Sequence, residues 1–468
     1  MQANFEDIFL KNLGFTPTDD QRQVLSLLKN FLFFNTNKLF VLKGYAGTGK
    51  TTMMSALIKT LPKFHLQSVL LAPTGRAAKV LSMYSNKKAF TIHKRIYFSH
   101  HEDSSFSFRL KENRSKDTIF IIDEASMIGT DNNMFQRNLL EDLMQYVFSG
   151  DGCKAIFIGD TAQLPPVGQE LSHALDPEYL DNLFSVSTLS FQLTQVVRQA
   201  LQSGILKNAS NLRYRLYKKN FSLPIFKTLN LKDVESISST DFEEYLRMAY
   251  KEYGEDEVIV IAKSNYQANT LNNLIRYTIL ERETLLEAGD RLMVVKNNYF
   301  WLEDDNAMGF IANGDIFRIN RVIGYEDKFG FRFANVAICF DDYENAVEVE
   351  VKILLDTLNI EKASLDRERE ISLYENIFQY YYEQEHNKVN AKRKTLNDEY
   401  FNALQVKFAS CLTCHKSQGG GWDVVFVFQS YLTEDSLNKE YFRWLYTAIT
   451  RAKKQLYLVN FSEEFFKN

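Results

Sequence analysis

Cysteine is scarce in this chain: Cys153, Cys339, Cys411 and Cys414 are the four among 468 residues. They are too few and too scattered for the disulfide framework of a small secreted domain. Long apolar runs are missing as well, and nothing approaches the roughly 18 residues of a membrane span. Neither sign of charge is in excess. With 55 Lys+Arg against 59 Asp+Glu the net charge is -4, which excludes a polybasic coat but leaves room for a local basic groove. The amino-terminal stretch carries Glu6 and Asp7 where an export signal needs bases. Internal repeats and low-complexity tracts are also lacking. A reducing, cytoplasmic setting without membrane partners is the expectation.

What remains is an ordinary globular composition, 45% hydrophobic and 24% charged. Its length sets a prior of roughly three domains of about 150 residues each. In the first half, short apolar runs at 39–42, 68–72, 119–122 and 155–158 each lead through a polar turn into a helical pattern. Runs apolar on both faces with helices between them predict a parallel sheet covered on both sides. A polar stretch at 97–116, with Phe98, Phe106 and Phe108, breaks that rhythm and reads as a small hairpin insertion.

The alternating style returns at 258–262, a helix near 267–280, then 424–428, a helix near 441–451, and 455–461. Between these parts lie short β-rich runs at 292–295, 316–319, 331–338 and 347–353, with a turn at Asn313-Gly314-Asp315. They predict a small barrel inserted into a second α/β domain. The polar, helix-prone stretch 356–402 is a projecting helical arm or a solvated linker. The expected division is a first domain over 1–190 with its insertion at 97–116, and a second over 191–288 and 403–468. The insertion in the second domain spans 289–402, with the barrel at 289–355.

Gly44-Tyr45-Ala46-Gly47-Thr48-Gly49-Lys50-Thr51 fits the P-loop pattern, after a strand and before a helix. Glycines let backbone N–H groups wrap a phosphate, the helix amino terminus adds positive field, Lys50 supplies a point charge and Thr51 a magnesium ligand. Thr52 continues the site. The run at 119–122 delivers Asp123 and Glu124 at its carboxyl end, the geometry in which one acid holds Mg2+ and the next polarises the attacking water. Gln163, after Gly159-Asp160, is placed to sense a γ-phosphate. Phosphoryl transfer also needs positive charge on the transition state, for which Arg198 and Arg451 are the candidates.

These elements, in this order, resemble superfamily 1 helicases, and within them the superfamily 1B group of RecD-like and Dda-like DNA helicases, over nearly the whole chain. The resemblance implies two RecA-like domains, ATP and Mg2+ as nucleotide and metal, and a monomeric motor on single-stranded DNA and its junctions with duplex, travelling 5′-to-3′. Phe15-Thr16-Pro17-Thr18-Asp19-Asp20-Gln21 looks like an adenine-reading motif with Gln21 as reader. Pro73, Thr74 and His93 match strand-contacting motifs, as do Thr413, His415, Lys416 and Ser417. Asn273 and Arg276 match a further element. Gly419 falls in a motif near the nucleotide, and Gly420-Gly421-Trp422 precede Asp423 where the family often carries its acid, so the group meeting the ribose stays open. The barrel resembles an SH3-like subdomain and 97–116 a strand-separating pin. Phe98 or Phe106 then stacks at the fork, core packing being the alternative for each. Cys411-Leu412-Thr413-Cys414-His415 also spells a haem-attachment pattern, but the motif reading explains the same residues. An RNA helicase, or an ATPase switch that binds a strand without unwinding, remain the alternatives.

Overall fold

The structure, a computed structural model, describes residues 4–34, 36–98, 109–130, 138–197, 203–302, 310–340 and 348–467. Helices α1 (Phe5–Leu13) and α2 (Asp19–Phe33) precede β1 (Leu39–Gly44), which runs through the glycine loop into α3 (Lys50–Thr60). There follow β2 (Gln67–Ala72), α4 (Gly75–Ser85), β3 (Ala89–Thr91), α5 (Ile92–Ile96), β4 (Thr118–Ile122), α6 (Leu139–Ser149), β5 (Lys154–Gly159), α7 (Pro177–Phe184) and β6 (Thr188–Leu193). The strands form one sheet in the order β3-β2-β4-β5-β1-β6, with every neighbouring pair parallel. Successive side chains on a strand point to opposite faces, and both faces here are buried. Phe40 and Leu42 pack with Val24, Leu28 and Leu57 on one side, while Leu39 and Val41 pack with Phe120, Leu143 and Val147 on the other. Because β6 pairs with β1 through Leu193, the first sheet runs past the expected limit at residue 190.

The second domain opens with α8 (Gly204–Lys218), β7 (Val234–Ile237), α9 (Phe242–Tyr253), β8 (Val258–Ala262) and α10 (Asn265–Leu274), which widens into a π-turn over Ile275–Ile279. The barrel strands are β9 (Arg291–Val294), β10 (Ile316–Lys328), β11 (Phe331–Cys339), β12 (Val349–Leu354) and β13 (Leu404–Phe408). Between the last two stand α11 (Arg367–Glu385) and α12 (Lys388–Leu396). This helical arm is anchored by Leu373 and Ile377 against Phe331, Phe333 and Tyr400. The chain then returns through β14 (Cys411–Thr413), α13 (Cys414–Ser417), β15 (Trp422–Phe428), α14 (Lys439–Ile449) and β16 (Ala452–Val459). Strands β14-β8-β15-β16-β7 make a second parallel sheet.

The fold class is the expected one: two parallel sheets of RecA-like type with a closed five-stranded barrel. One boundary needs correction. The expected division puts residues 404–408 in the second α/β domain, but β13 pairs with β12 at Ile353↔Leu404 and with β9 at Val406↔Val294, and so closes the barrel. The arm is therefore an insertion within the barrel. The 97–116 segment starts as an antiparallel pair, Phe98 N–H donating to Arg109 O at 3.0 Å and Lys111 N–H to Ile96 O at 2.7 Å. Its tip, with Phe106 and Phe108, lies outside the described residues. Among the described residues no helix is long and apolar enough to cross a membrane.

Candidate nucleotide and nucleic-acid sites

The first sheet presents three loops at its carboxyl edge, where open α/β sheets place ligands. The P-loop follows β1. Gly49 holds φ 85 as the cap of α3, and a Cβ there would fall 2.5 Å from Gln21 Nε2, so glycine is required twice over. Lys50 Nζ folds onto its own loop, donating to Gly44 O at 2.6 Å and Tyr45 O at 3.0 Å. Thr48 Oγ1 donates to Tyr45 O at 2.8 Å. Thr51 and Thr52 are exposed on the first turn of the helix, while Ala46 and Gly47 are half-buried.

Gln21 is placed differently from the adenine-reading expectation. It is fully buried, its amide N–H donating to Thr48 O at 3.1 Å and its Oε1 accepting from Thr18 N–H at 3.0 Å. Thr18 and Gln21 form a reciprocal capping box on α2. Both ends of the amide are thus spent on supporting the P-loop and the helix start.

Asp123 follows β4, with Oδ2 accepting from the Tyr84 hydroxyl and Oδ1 from Glu124 N–H at 2.9 Å. Glu124 takes the left-handed conformation at φ 50. Burial pushes its carboxyl up from the ordinary range. The Arg451 guanidinium opposes that rise, as does Lys50, while Asp123 and Asp160 reinforce it. Five groups from four separate stretches of the chain thus share one electrostatic site. Arg451 is 6% exposed and is held by Thr447 O at 3.0 Å and Gly420 O at 3.1 Å, with Thr450 Oγ1 at 3.4 Å. Gln163 is buried beside Asp160, its Oε1 without a hydrogen-bond partner. Arg198 lies outside the described residues.

Contacts between the two domains converge here. Tyr446 on α14 donates to Asp160 Oδ2 at 2.6 Å and accepts from Ala46 N–H at 2.9 Å. Leu164 N–H donates to Thr447 Oγ1 at 2.9 Å, and Gln418 Nε2 donates to Leu164 O at 2.8 Å. Arg213 on α8 stacks 4.4 Å from the centre of the Tyr45 ring, an arginine at the P-loop that the sequence pattern does not single out. Tyr84, Tyr446, Asp160 and Arg213 are the site's additions to the motif residues. Asp160 stands at a strand end and Tyr446 opens the Tyr446–Arg451 run that carries the candidate arginine, whereas Tyr84 and Arg213 carry no sequence signal.

Mg2+ fits the residues present. A hydroxyl at the second position of α3 and a carboxylate at the end of β4 are hard oxygen donors of the kind Mg2+ takes from a protein in small number. The Tyr84 hydroxyl and the Glu124 N–H fix the orientation of the carboxylate.

Along the expected strand track, Thr74 caps α4, its Oγ1 accepting from Ala77 N–H at 3.2 Å, and Pro73 is half-buried beside it. His93 sits against Tyr97, and burial lowers its imidazole to about 4, so it is neutral near pH 7. Burial also lowers His415. Thr413 and Lys416 line a cleft beside the barrel. Phe98 is exposed, with Lys111 Nζ 5.8 Å from its ring centre. Asn273 Nδ2 reaches Asn359 Oδ1 at 3.4 Å.

Three residues depart from their expected roles. Arg276 is 3% exposed and pairs with Asp290 through Nη2 at 2.9 Å and Nε at 3.1 Å. It ties α10 to the barrel entrance, and its remaining nitrogen, Nη1, is buried away from a strand. Ser417 is fully buried and donates to Cys414 O at 2.8 Å. Gly419, at φ 72, packs on α4, where a Cβ would meet Ala77 Cβ at 2.8 Å, and so contributes to the domain contact. Cys411 and Cys414 are buried free thiols, and burial pushes Cys414 up to about 12.

Residues 18–215 match the family model of an AAA domain, and residues 408–459 that of a UvrD-like helicase C-terminal domain. The chain is 25% identical to the uncharacterized protein R530 of Acanthamoeba polyphaga mimivirus, over 93% of this chain and 98% of that protein. It is 30% identical to the ATP-dependent RecD2 DNA helicase of Deinococcus radiodurans, over 42% of this chain and 24% of that protein. The chain thus spans nearly all of the first relative and about a quarter of the second. A solved Bacteroides Pif1 helicase, in complex with ADP-AlF3 and ssDNA, aligns over 97% of this chain and 95% of its own, at 16% identity and TM-score 0.47. The two family models in chain order and the similarity to RecD2 support a superfamily 1B helicase of the RecD-like kind.

Proposed function

We propose that this protein is an ATP-dependent DNA helicase that moves 5′-to-3′ along single-stranded DNA and unwinds duplex ahead of it. The observation that carries the reading is that α14 of the second domain, which leads into Arg451, is bonded to two nucleotide-site loops of the first: Tyr446 donates to Asp160 Oδ2 at 2.6 Å and accepts from Ala46 N–H at 2.9 Å. A hydrolytic site completed by a second domain makes turnover depend on how the domains are closed.

In this reading Lys50 and the loop N–H groups take the phosphates, and Thr51 and Asp123 would hold Mg2+, which would supply positive charge against the phosphate oxygens. Glu124, its carboxyl raised by burial, is a base of suitable strength for the attacking water. Arg451 meets the charge that develops on the transferred group. Tyr446 and Gln418 carry closure from the nucleotide side to the motif holding Thr413, His415 and Lys416. Thr74, His93, Thr413, His415 and Lys416 contact the strand, and alternate opening and closing advances it.

The test is ATP turnover with no nucleic acid, with single-stranded DNA and with single-stranded RNA, using wild type and Lys50→Ala. Strong stimulation by DNA that vanishes in the variant is expected. Stimulation by RNA alone would overturn the choice of track, and near-normal turnover in Lys50→Ala would overturn the nucleotide site.

A further inference from the structure

Lys407 lies on β13, the strand that closes the barrel, and Lys416 on α13 of the second domain. Both line one small cleft between the barrel and the second sheet, together with Thr413, Asn265 and Asn269. Lys407 is 6% exposed; its Nζ donates to Ile360 O and, at 3.5 Å, to Asn269 Oδ1. Lys416 Nζ donates to Asn313 Oδ1 at 2.6 Å. Every one of these acceptors is neutral, and among the described residues no carboxylate lines the cleft.

That arrangement is costly. A buried ammonium is normally paired with an acid, and the described residues give buried Lys407 none, with half-buried Lys416 as its cationic neighbour in the cleft. Burial lowers Lys407 to about 8, and burial together with the charge of Lys407 lowers Lys416 to about 8. The chain as a whole carries a net charge of -4, so the pair is not a sample of a generally basic surface. The two ammoniums, the Thr413 hydroxyl and the Asn265 amide around one opening make a receptor for an anion with several oxygens. Thr413 belongs both to this cleft and to the proposed strand track.

We propose that Lys407 and Lys416 form a single seat for one backbone phosphate of the bound strand, with Lys407 contributed by the barrel. The inference rests on the single-strand reading above. It adds the barrel's closing strand to the track, so that strand occupancy pins the barrel to the second domain.

The test is the salt dependence of oligo(dT) binding by wild type, Lys407→Met, Lys416→Met and the double variant, with thermal midpoints measured without DNA. Each single variant should weaken binding several-fold and reduce the slope of log affinity against log salt by about 0.7, the value for one phosphate on a single strand. Because both lysines serve one phosphate, the double variant should lose little more. Removing a desolvated charge should leave the Lys407→Met midpoint level or raised. Tight binding by wild type with unchanged slopes in both single variants would overturn this inference alone. A lowered midpoint with an unchanged slope would make Lys407 a structural pin for Ile360 and Asn269. A wild type that binds no oligo(dT) would overturn the reading beneath it. Stabilisation of wild type but not Lys407→Met by inorganic phosphate at matched ionic strength, with unchanged oligo(dT) slopes, would assign the seat to a free anion and overturn the strand assignment.

Discussion

The Tyr446 hydroxyl donates to Asp160 Oδ2 at 2.6 Å and accepts the Ala46 N–H at 2.9 Å, joining α14 of the second domain to two loops of the first. Asp160 is 1% exposed, so a lost donor leaves a buried carboxylate short of a partner, at a cost of about 1–3 kcal/mol. Tyr446→Phe keeps the ring in the second-domain core. It should lower DNA-stimulated turnover by about 10-fold, while the thermal midpoint falls by no more than about 5 °C. Unchanged turnover, measured by steady-state phosphate release, would reduce the bridge to packing.

Glu124→Gln should bind ATP and single-stranded DNA normally and hydrolyse ATP about 10²–10⁴-fold more slowly. The wild-type rate should rise with pH as the Glu124 carboxyl loses its proton, and because burial raises that carboxyl this limb lies above the ordinary glutamate range. A pH–rate profile of the variant should lack the limb. Retention of both limb and rate would remove Glu124 as the base.

Arg451→Ala should lose turnover by about 10³-fold with a much smaller loss of nucleotide affinity. It should also move the Glu124 limb to higher pH, because the guanidinium is what opposes the burial-driven rise. Equal losses in turnover and affinity, with an unmoved limb, would recast Arg451 as a ground-state binder.

Arg276→Met breaks a pair in which both partners are buried, the side chains 3% and 2% exposed. Leaving buried Asp290 with only Arg282 Nε at 4.0 Å and the Glu287 N–H at 2.8 Å should cost up to about 3–5 kcal/mol of stability. Affinity of the folded fraction for single-stranded DNA should be unchanged. Weakened DNA binding at full stability would restore Arg276 to the strand track.

Most of the first domain is legible from its residues. The runs at 39–42 and 119–122 are apolar on both faces because both faces are covered, and the glycine loop stands where strand meets helix. The barrel's last strand was misplaced because a buried strand of a barrel and one of a parallel sheet have the same composition. Only the pairing of Leu404 with Ile353 and of Val406 with Val294 separates them. Gln21 carried a readable signal, Thr18-Asp19-Asp20-Gln21 as a capping box, and that local role also accounts for its burial. Arg276 was misread because an arginine three residues beyond Asn273 looks the same whether it meets a phosphate or a buried aspartate. Tyr446 and Asp160 are separated by 286 positions, and no local pattern links them. Contacts of that kind are set by how two domains close.

The most direct test of the proposed motor is unwinding of a partial duplex bearing either a 5′ or a 3′ single-stranded tail, with ATP and Mg2+ and with Lys50→Ala alongside. Strand separation from the 5′ tail only, absent in the variant, is the expected result. Separation from the 3′ tail only would keep the motor and reverse its direction. Failure to separate either substrate, while single-stranded DNA still stimulates ATP turnover, would contradict the helicase and leave an ATPase that binds a strand without moving along it.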